Sequence, residues 1–178
     1  MNLLNKKFHL NNQNSPQQFL LNTDVNDELI KSFKSQDFAK CIELSSQLIK
    51  FDQNNTLAYS ILGLSLSSTG ENDKAIKYLN EAISHNPSNS EILNNLANIY
   101  LGKKDFEKAL KFSKKSISLN SNSSEAYFTL AASLTHLNNL EDALKAFKSV
   151  PSLDPMSTTR SPALRSAASD ALRAYVSK

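Results

Sequence analysis

The chain repeats itself at an interval of 34 residues, and that interval limits what it can fold into. Leu62, Leu96 and Leu130 share one position, and Gly63, Ala97 and Ala131 share the next. Ala75, Ala109 and Ala143 share a third, each followed by an aliphatic residue (Ile76, Leu110, Leu144), and Pro87 and Pro155 share a fourth. Within residues 56–89, Tyr59, Leu62 and Leu66, then Ala75, Leu79 and Ala82, form two apolar stripes at helical spacing. Gly70 stands between the stripes where a helix C-terminus favours glycine, and Asn86-Pro87 closes the second. The unit is therefore a helix–turn–helix whose two stripes face each other. Such a unit cannot bury its apolar face alone, so copies must stack.

Four units fit: residues 22–55, 56–89, 90–123 and 124–155. The first is worn. Val25, Leu29, Ile30 and Phe33 keep the apolar spacing without a Leu-Gly pair, while Asp37-Phe38-Ala39-Lys40-Cys41-Ile42 aligns with Asp105-Phe106-Glu107-Lys108-Ala109-Leu110. Cys41 then occupies the small-residue position held elsewhere by alanine, and reads as a buried thiol rather than a reactive one. The third unit replaces the later alanine and proline by Ser116 and Ser121. In the fourth, Pro151 is expected to stop the last repeat helix near Ser149, because an interior proline costs about 3 kcal/mol.

The flanks differ in composition. Residues 1–21, with the run Asn11-Asn12-Gln13-Asn14-Ser15-Pro16-Gln17-Gln18, read as a mobile arm too polar to bury. Residues 156–178 hold all three arginines (Arg160, Arg165, Arg173), and from Pro162 onward read as a capping helix or tail.

Tyr59, Leu62-Gly63, Leu66, Ala75, Leu79, Ala82 and Pro87 closely resemble the tetratricopeptide repeat pattern, over about residues 22–155. The resemblance implies an all-α fold: a right-handed α-α superhelix, or solenoid, of about four helix–turn–helix repeats plus a C-terminal capping helix. It also implies a concave groove lined by the first helix of each repeat, which takes a peptide or helix from a partner. By that resemblance the groove positions include Leu57, Ser60, Leu64 and Ser67; Glu91, Asn94, Asn98 and Leu101; and Glu125, Phe128, Ala132 and Thr135. Chaperone-binding members hold a carboxylate with lysine or arginine at such positions. This chain has neither there, which argues against that activity. Asn95 matches an asparagine ladder used by sugar-transferase members, but Ile61 and Thr129 interrupt the ladder.

Asn94, Asn95 and Asn98 form the most suggestive polar cluster, since an amide offers a peptide both a donor and an acceptor. An asparagine-rich sequence placing polar residues on a wet face accounts for them equally well. A neutral-to-acidic groove with Phe128 favours apolar or basic segments over acidic ones.

Other chemistry is missing from the sequence. Three glycines cannot build a phosphate-cradling loop, and His9, His85 and His136 are isolated. No enzyme and no cofactor are expected. Lys104, Lys108, Lys111 and Lys115 form a candidate basic patch, diluted by Asp105 and Glu107, so a solvated face is favoured over nucleic acid. A net charge of +3 adds little to that case. The single cysteine, the lack of any apolar run near the roughly 20 residues of a membrane span, and the lack of a secretory apolar core point to the cytoplasm. The leading expectation is a protein–protein adaptor, with self-association left open. Two alternatives stand beside it: the binding arm of a larger enzyme such as a glycosyl- or methyltransferase, and an electrostatic adaptor for nucleic acid or anionic lipid.

Overall fold

The structure, a computed structural model, describes residues 16–150. Eight helices occupy them: α1 (Pro16–Lys34), α2 (Phe38–Phe51), α3 (Thr56–Ser68), α4 (Asn72–His85), α5 (Ser90–Gly102), α6 (Phe106–Leu119), α7 (Ser124–His136) and α8 (Leu140–Lys148). The described residues contain no strand. Two compact units divide the chain, residues 1–82 and 83–178, with the division falling inside α4. Residues 1–15 of the expected arm and the expected capping segment 156–178 lie outside the described residues. Residues 16–21, assigned in sequence to that arm, instead open α1, with Pro16 at the first helical position that proline favours.

Why the helices start and stop where they do is visible in polar side chains at the same 34-residue interval. Asn55, Asn89 and Ser123 cap α3, α5 and α7, their side-chain oxygens accepting from the backbone N–H of Ala58 (2.9 Å), Ile92 (3.1 Å) and Ala126 (3.3 Å). Asp37, Asp105 and Asn139 do the same for α2, α6 and α8. Each cap satisfies an N–H that the helix itself cannot, so part of the asparagine content is helix punctuation.

The turns inside the repeats have one shape. Gln36, Gly70, Lys104 and Asn138 stand 34 residues apart, and all have positive φ: 59°, 87°, 63° and 59°. At Gly70 the residue itself donates to Ser67 O (3.0 Å) while Glu71 N donates to Leu66 O (2.8 Å). The matching pairs recur at Gln36/Asp37, Lys104/Asp105 and Asn138/Asn139. This is the double-bonded left-handed helix end, formed once with glycine and three times without it.

In the first unit α2 packs against α1 and α3. Val25, Leu29, Cys41, Leu44, Leu48, Ala58 and Ile61 form a buried cluster there. Cys41 is fully buried and unbonded to another cysteine, as its small-residue position implied, and burial pushes its thiol pKa up. Ala75, Ala109 and Ala143, its equivalents, are also fully buried. In the second unit α6 packs against α5 and α7, α7 against α8, and α7 also against α5. Ala131, Leu134, Ala143 and Ala146 close the far end with Leu110, Leu130 and Phe147. Helix α8 ends at Lys148 with Ser149 as its cap, two residues before Pro151, as expected.

Candidate functional site

Helices α5 and α7 carry the expected groove residues of the second unit. Glu91 and Glu125 stand exposed at the same position of the two helices. Neither helix contains a lysine or arginine, so the only formal charges on them at neutral pH are negative. Asn98 is exposed and Asn95 half-buried. Phe128 is half-buried with its ring 6.2 Å from that of Phe147, which anchors it against α8. Thr135 is half-buried, its hydroxyl donating to Ala131 O (2.8 Å). Leu101 is half-buried and Ala132 buried.

Two residues depart from the sequence expectation. Asn94 is not on a wet face: it is 3% exposed, with an Oδ1 that accepts no hydrogen bond among the described residues. Thr129, which interrupts an asparagine ladder in sequence, makes a cross-helix bond in the structure. Its Oγ1 stands 2.5 Å from Asn98 Oδ1 and 3.0 Å from Glu125 O. Asn98 therefore offers a ligand chiefly its Nδ2, while Thr129 itself is fully buried. The two residues stand 31 apart, off the 34-residue interval, and so gave no sequence signal for this bond.

In the first unit Ser60 and Leu64 on α3 are half-buried. The Ser60 hydroxyl donates to Thr56 O (2.7 Å) and is thus committed to its own helix. Leu57, at the start of α3, is 39% exposed. A cavity of about 380 Å³, not foreseen from sequence, opens beside α1 and α2 among Asp27, Lys31, Ser32, Ser35 and Asp37, with the Lys40–Glu28 ion pair (2.7 Å) at its rim. Its walls carry both signs of charge.

The basic patch is also rearranged. Lys104 is not on a helix but in the turn before α6, at φ 63°. Lys108 is paired with Asp105 (2.7 Å) and its ammonium lies 5.1 Å from the centroid of the Tyr100 ring, which in turn stacks on Phe112. That pairing raises the Lys108 pKa and lowers that of Asp105. Lys111 and Lys115 are exposed one turn apart. His136, read from sequence as an isolated surface residue, is exposed but stacks on Phe106 at 4.3 Å and 9°. No group of acids, histidines or cysteines with metal-binding geometry occurs among the described residues.

Comparison with known proteins gives the same architecture. The family model for anaphase-promoting complex, cyclosome, subunit 3 matches residues 68–150. No curated protein sequence matches the chain. Among solved structures, a crystal structure of MamA superposes with a TM-score of 0.69 at 22% identity, covering 72% of this chain and 75% of that one. A point mutant of MamA reaches 0.71 at 18% identity, covering 89% and 90%. YrrB, described as a TPR protein with an unusual peptide-binding site, gives 0.68 at 17%, covering 86% and 76%. The fold is that of the tetratricopeptide repeat. An all-α tetratricopeptide solenoid is what the 34-residue spacing and the resemblance implied. No helix among the described residues is long and apolar enough to cross a membrane.

Proposed function

We infer that the chain is a non-enzymatic adaptor of the cytoplasm that holds a peptide or helix of a partner protein along the first helices of its repeats. The observation that carries this reading is the face of α5 and α7: two exposed carboxylates (Glu91, Glu125), the exposed Asn98 and no cation. Unpaired negative charge beside a half-buried phenylalanine suits a partner segment that joins a lysine or arginine to an apolar residue. The tetratricopeptide fold supports the same reading, since YrrB, which shares it, is described as having a peptide-binding site.

The test is binding of three fluorescent peptide pools, basic-apolar, neutral-apolar and acidic, to the full chain. Basic-apolar peptides should bind best, and Glu91→Lys/Glu125→Lys should weaken them about tenfold or more, each desolvated charge contact being worth on the order of 1–3 kcal/mol. Phe128→Ala should weaken both apolar pools alike. A preference for acidic peptides at this face, or no effect of the double reversal, would overturn the reading.

A further inference from the structure

The second helix of the third repeat presents a separate, oppositely charged surface. Between residues 103 and 115 six lysines stand against two acids, whereas the remaining described residues hold eight lysines against thirteen acids. All six (Lys103, Lys104, Lys108, Lys111, Lys114, Lys115) are exposed. Lys108 is occupied by Asp105, while the Asp142 carboxyl is held low by Asn139 and Lys145 first, with Lys114 adding the least. Lys104, Lys111 and Lys115 hold no ion pair among the described residues. Like charges set this close repel, and nothing in the helix's own packing requires them.

The chemistry of the surface narrows what meets it. The exposed large apolar residues among those described are Leu57, Leu119 and Leu137, none of which lies within 103–115. The nearby aromatics, Tyr100, Phe106 and Phe112, are half-buried and already stacked, Tyr100 on Phe112 and Phe106 on His136, which leaves no free ring for a base and no wedge for a bilayer. The 103–115 segment contains lysine but no arginine, the side chain best fitted to phosphate. Asp105 and Glu107 sit within the face and oppose a regular polyanion more than a polypeptide able to place its carboxylates around them. Lys111 and Lys115 are one helical turn apart, about 6 Å along the axis.

We propose that the α6 lysine face, centred on Lys104, Lys111 and Lys115, is a second docking surface that takes an acidic helix of a partner protein, with carboxylates spaced one turn apart. It is chemically distinct from the acidic α5/α7 face and takes the opposite partner charge, so it stands independently of the groove reading.

The probe is a labelled 20-residue helical peptide with glutamate at every fourth position, titrated with the full chain by fluorescence anisotropy at 20 mM and 150 mM salt. Binding should weaken as salt rises. Lys111→Gln/Lys115→Gln should weaken it at least tenfold, and Lys74→Gln/Lys77→Gln, on α4, should leave it within twofold. Lys104→Gly separates binding from folding: it removes a cation while relieving a left-handed non-glycine residue, so affinity should fall about threefold while the melting temperature rises. The proposal is overturned if the α6 double variant binds like the parent chain, if a scrambled peptide of the same composition binds equally, or if the peptide does not bind at low salt. Tighter binding to single-stranded DNA or phosphatidylserine vesicles than to the peptide overturns it as well.

Discussion

Helices α3 and α4 are joined by the same turn, in the same register, as α5 and α6, yet the two pairs fill their interiors differently. In the first pair Gly63 has no Cβ and Leu79 takes the room: a Cβ built on Gly63 would lie 2.6 Å from Leu79 Cγ and 3.2 Å from Ala75 O. In the second, Ala97 supplies the Cβ and the residue matching Leu79 is Ser113, whose hydroxyl bonds back to Leu110 O at 3.1 Å. Ala82 in the first pair becomes Ser116 in the second, fully buried but donating to Ser90 O at 2.8 Å. The spacing thus keeps the path of the backbone while the residues at each crossing differ in size and polarity. Ser113 and Ser116 are both accommodated by a backbone carbonyl that receives their hydroxyl.

The largest expected effect comes from disturbing the close Gly63–Leu79 crossing. Leu79→Ala should destabilise the chain by about 2–5 kcal/mol, the range for removing a fully buried leucine. Gly63→Ala should cost about 1–3 kcal/mol through overpacking against Leu79. Moving the other pair's solution here, Gly63→Ala with Leu79→Ser, should be less damaging than the sum of its parts, with a coupling of about 1 kcal/mol or more. Urea unfolding of the parent, Gly63→Ala, Leu79→Ser and the double variant measures the coupling. Strict additivity would mean that the two residues do not share one space.

The turns sharpen the comparison at intermediate size. Gly70 and Lys104 both sit at positive φ, but only the glycine does so without a steric penalty. Lys104→Gly should therefore stabilise by about 1 kcal/mol, and Gly70→Ala should destabilise by a similar amount. Thermal melts of the two variants should shift in opposite directions. Nothing lies within 4 Å of where a Cβ on Gly70 would be, so its effect is conformational and not a clash.

What the sequence made legible follows from the same physics. Helix pairing was readable because the buried positions (Leu62, Ala75, Leu96, Ala109, Ala131) are apolar and recur at a fixed interval. The turn was read only at Gly70: Gln36 and Lys104 adopt the same conformation through register rather than preference, and Asn138, which does favour it, stands among other asparagines that do not mark turns. For that reason Lys104 looked like part of a helical stripe. Asn94 and Asn98 are four residues apart on one helix, and nothing in their own chemistry distinguishes the buried one from the exposed one. The Thr129–Asn98 bond joins residues on two helices, and a polar residue carries no periodic mark of such a contact.

The smallest predicted difference lies at the N-termini of the second helices. Asp105 caps α6, accepting from Lys108 N (3.2 Å) and pairing with its ammonium (2.7 Å), whereas its counterpart Glu71 pairs with Lys74 and accepts no capping bond from it. The Lys108 contact holds the Asp105 carboxyl below its ordinary 3.8, so the folded chain binds this proton less readily than the unfolded one. The resulting stability is present above the ordinary value and is lost as pH falls through the depressed one. Asparagine caps equally well at Asn139 in the matching turn, so Asp105→Asn removes the charge and keeps the cap. Melting temperatures between pH 6 and pH 2 should show the parent chain losing slightly more than Asp105→Asn below about pH 4. The gap should shrink in added salt, because the pair is open to solvent. Identical acid limbs would show that Asp105 stabilises α6 through its capping oxygen alone.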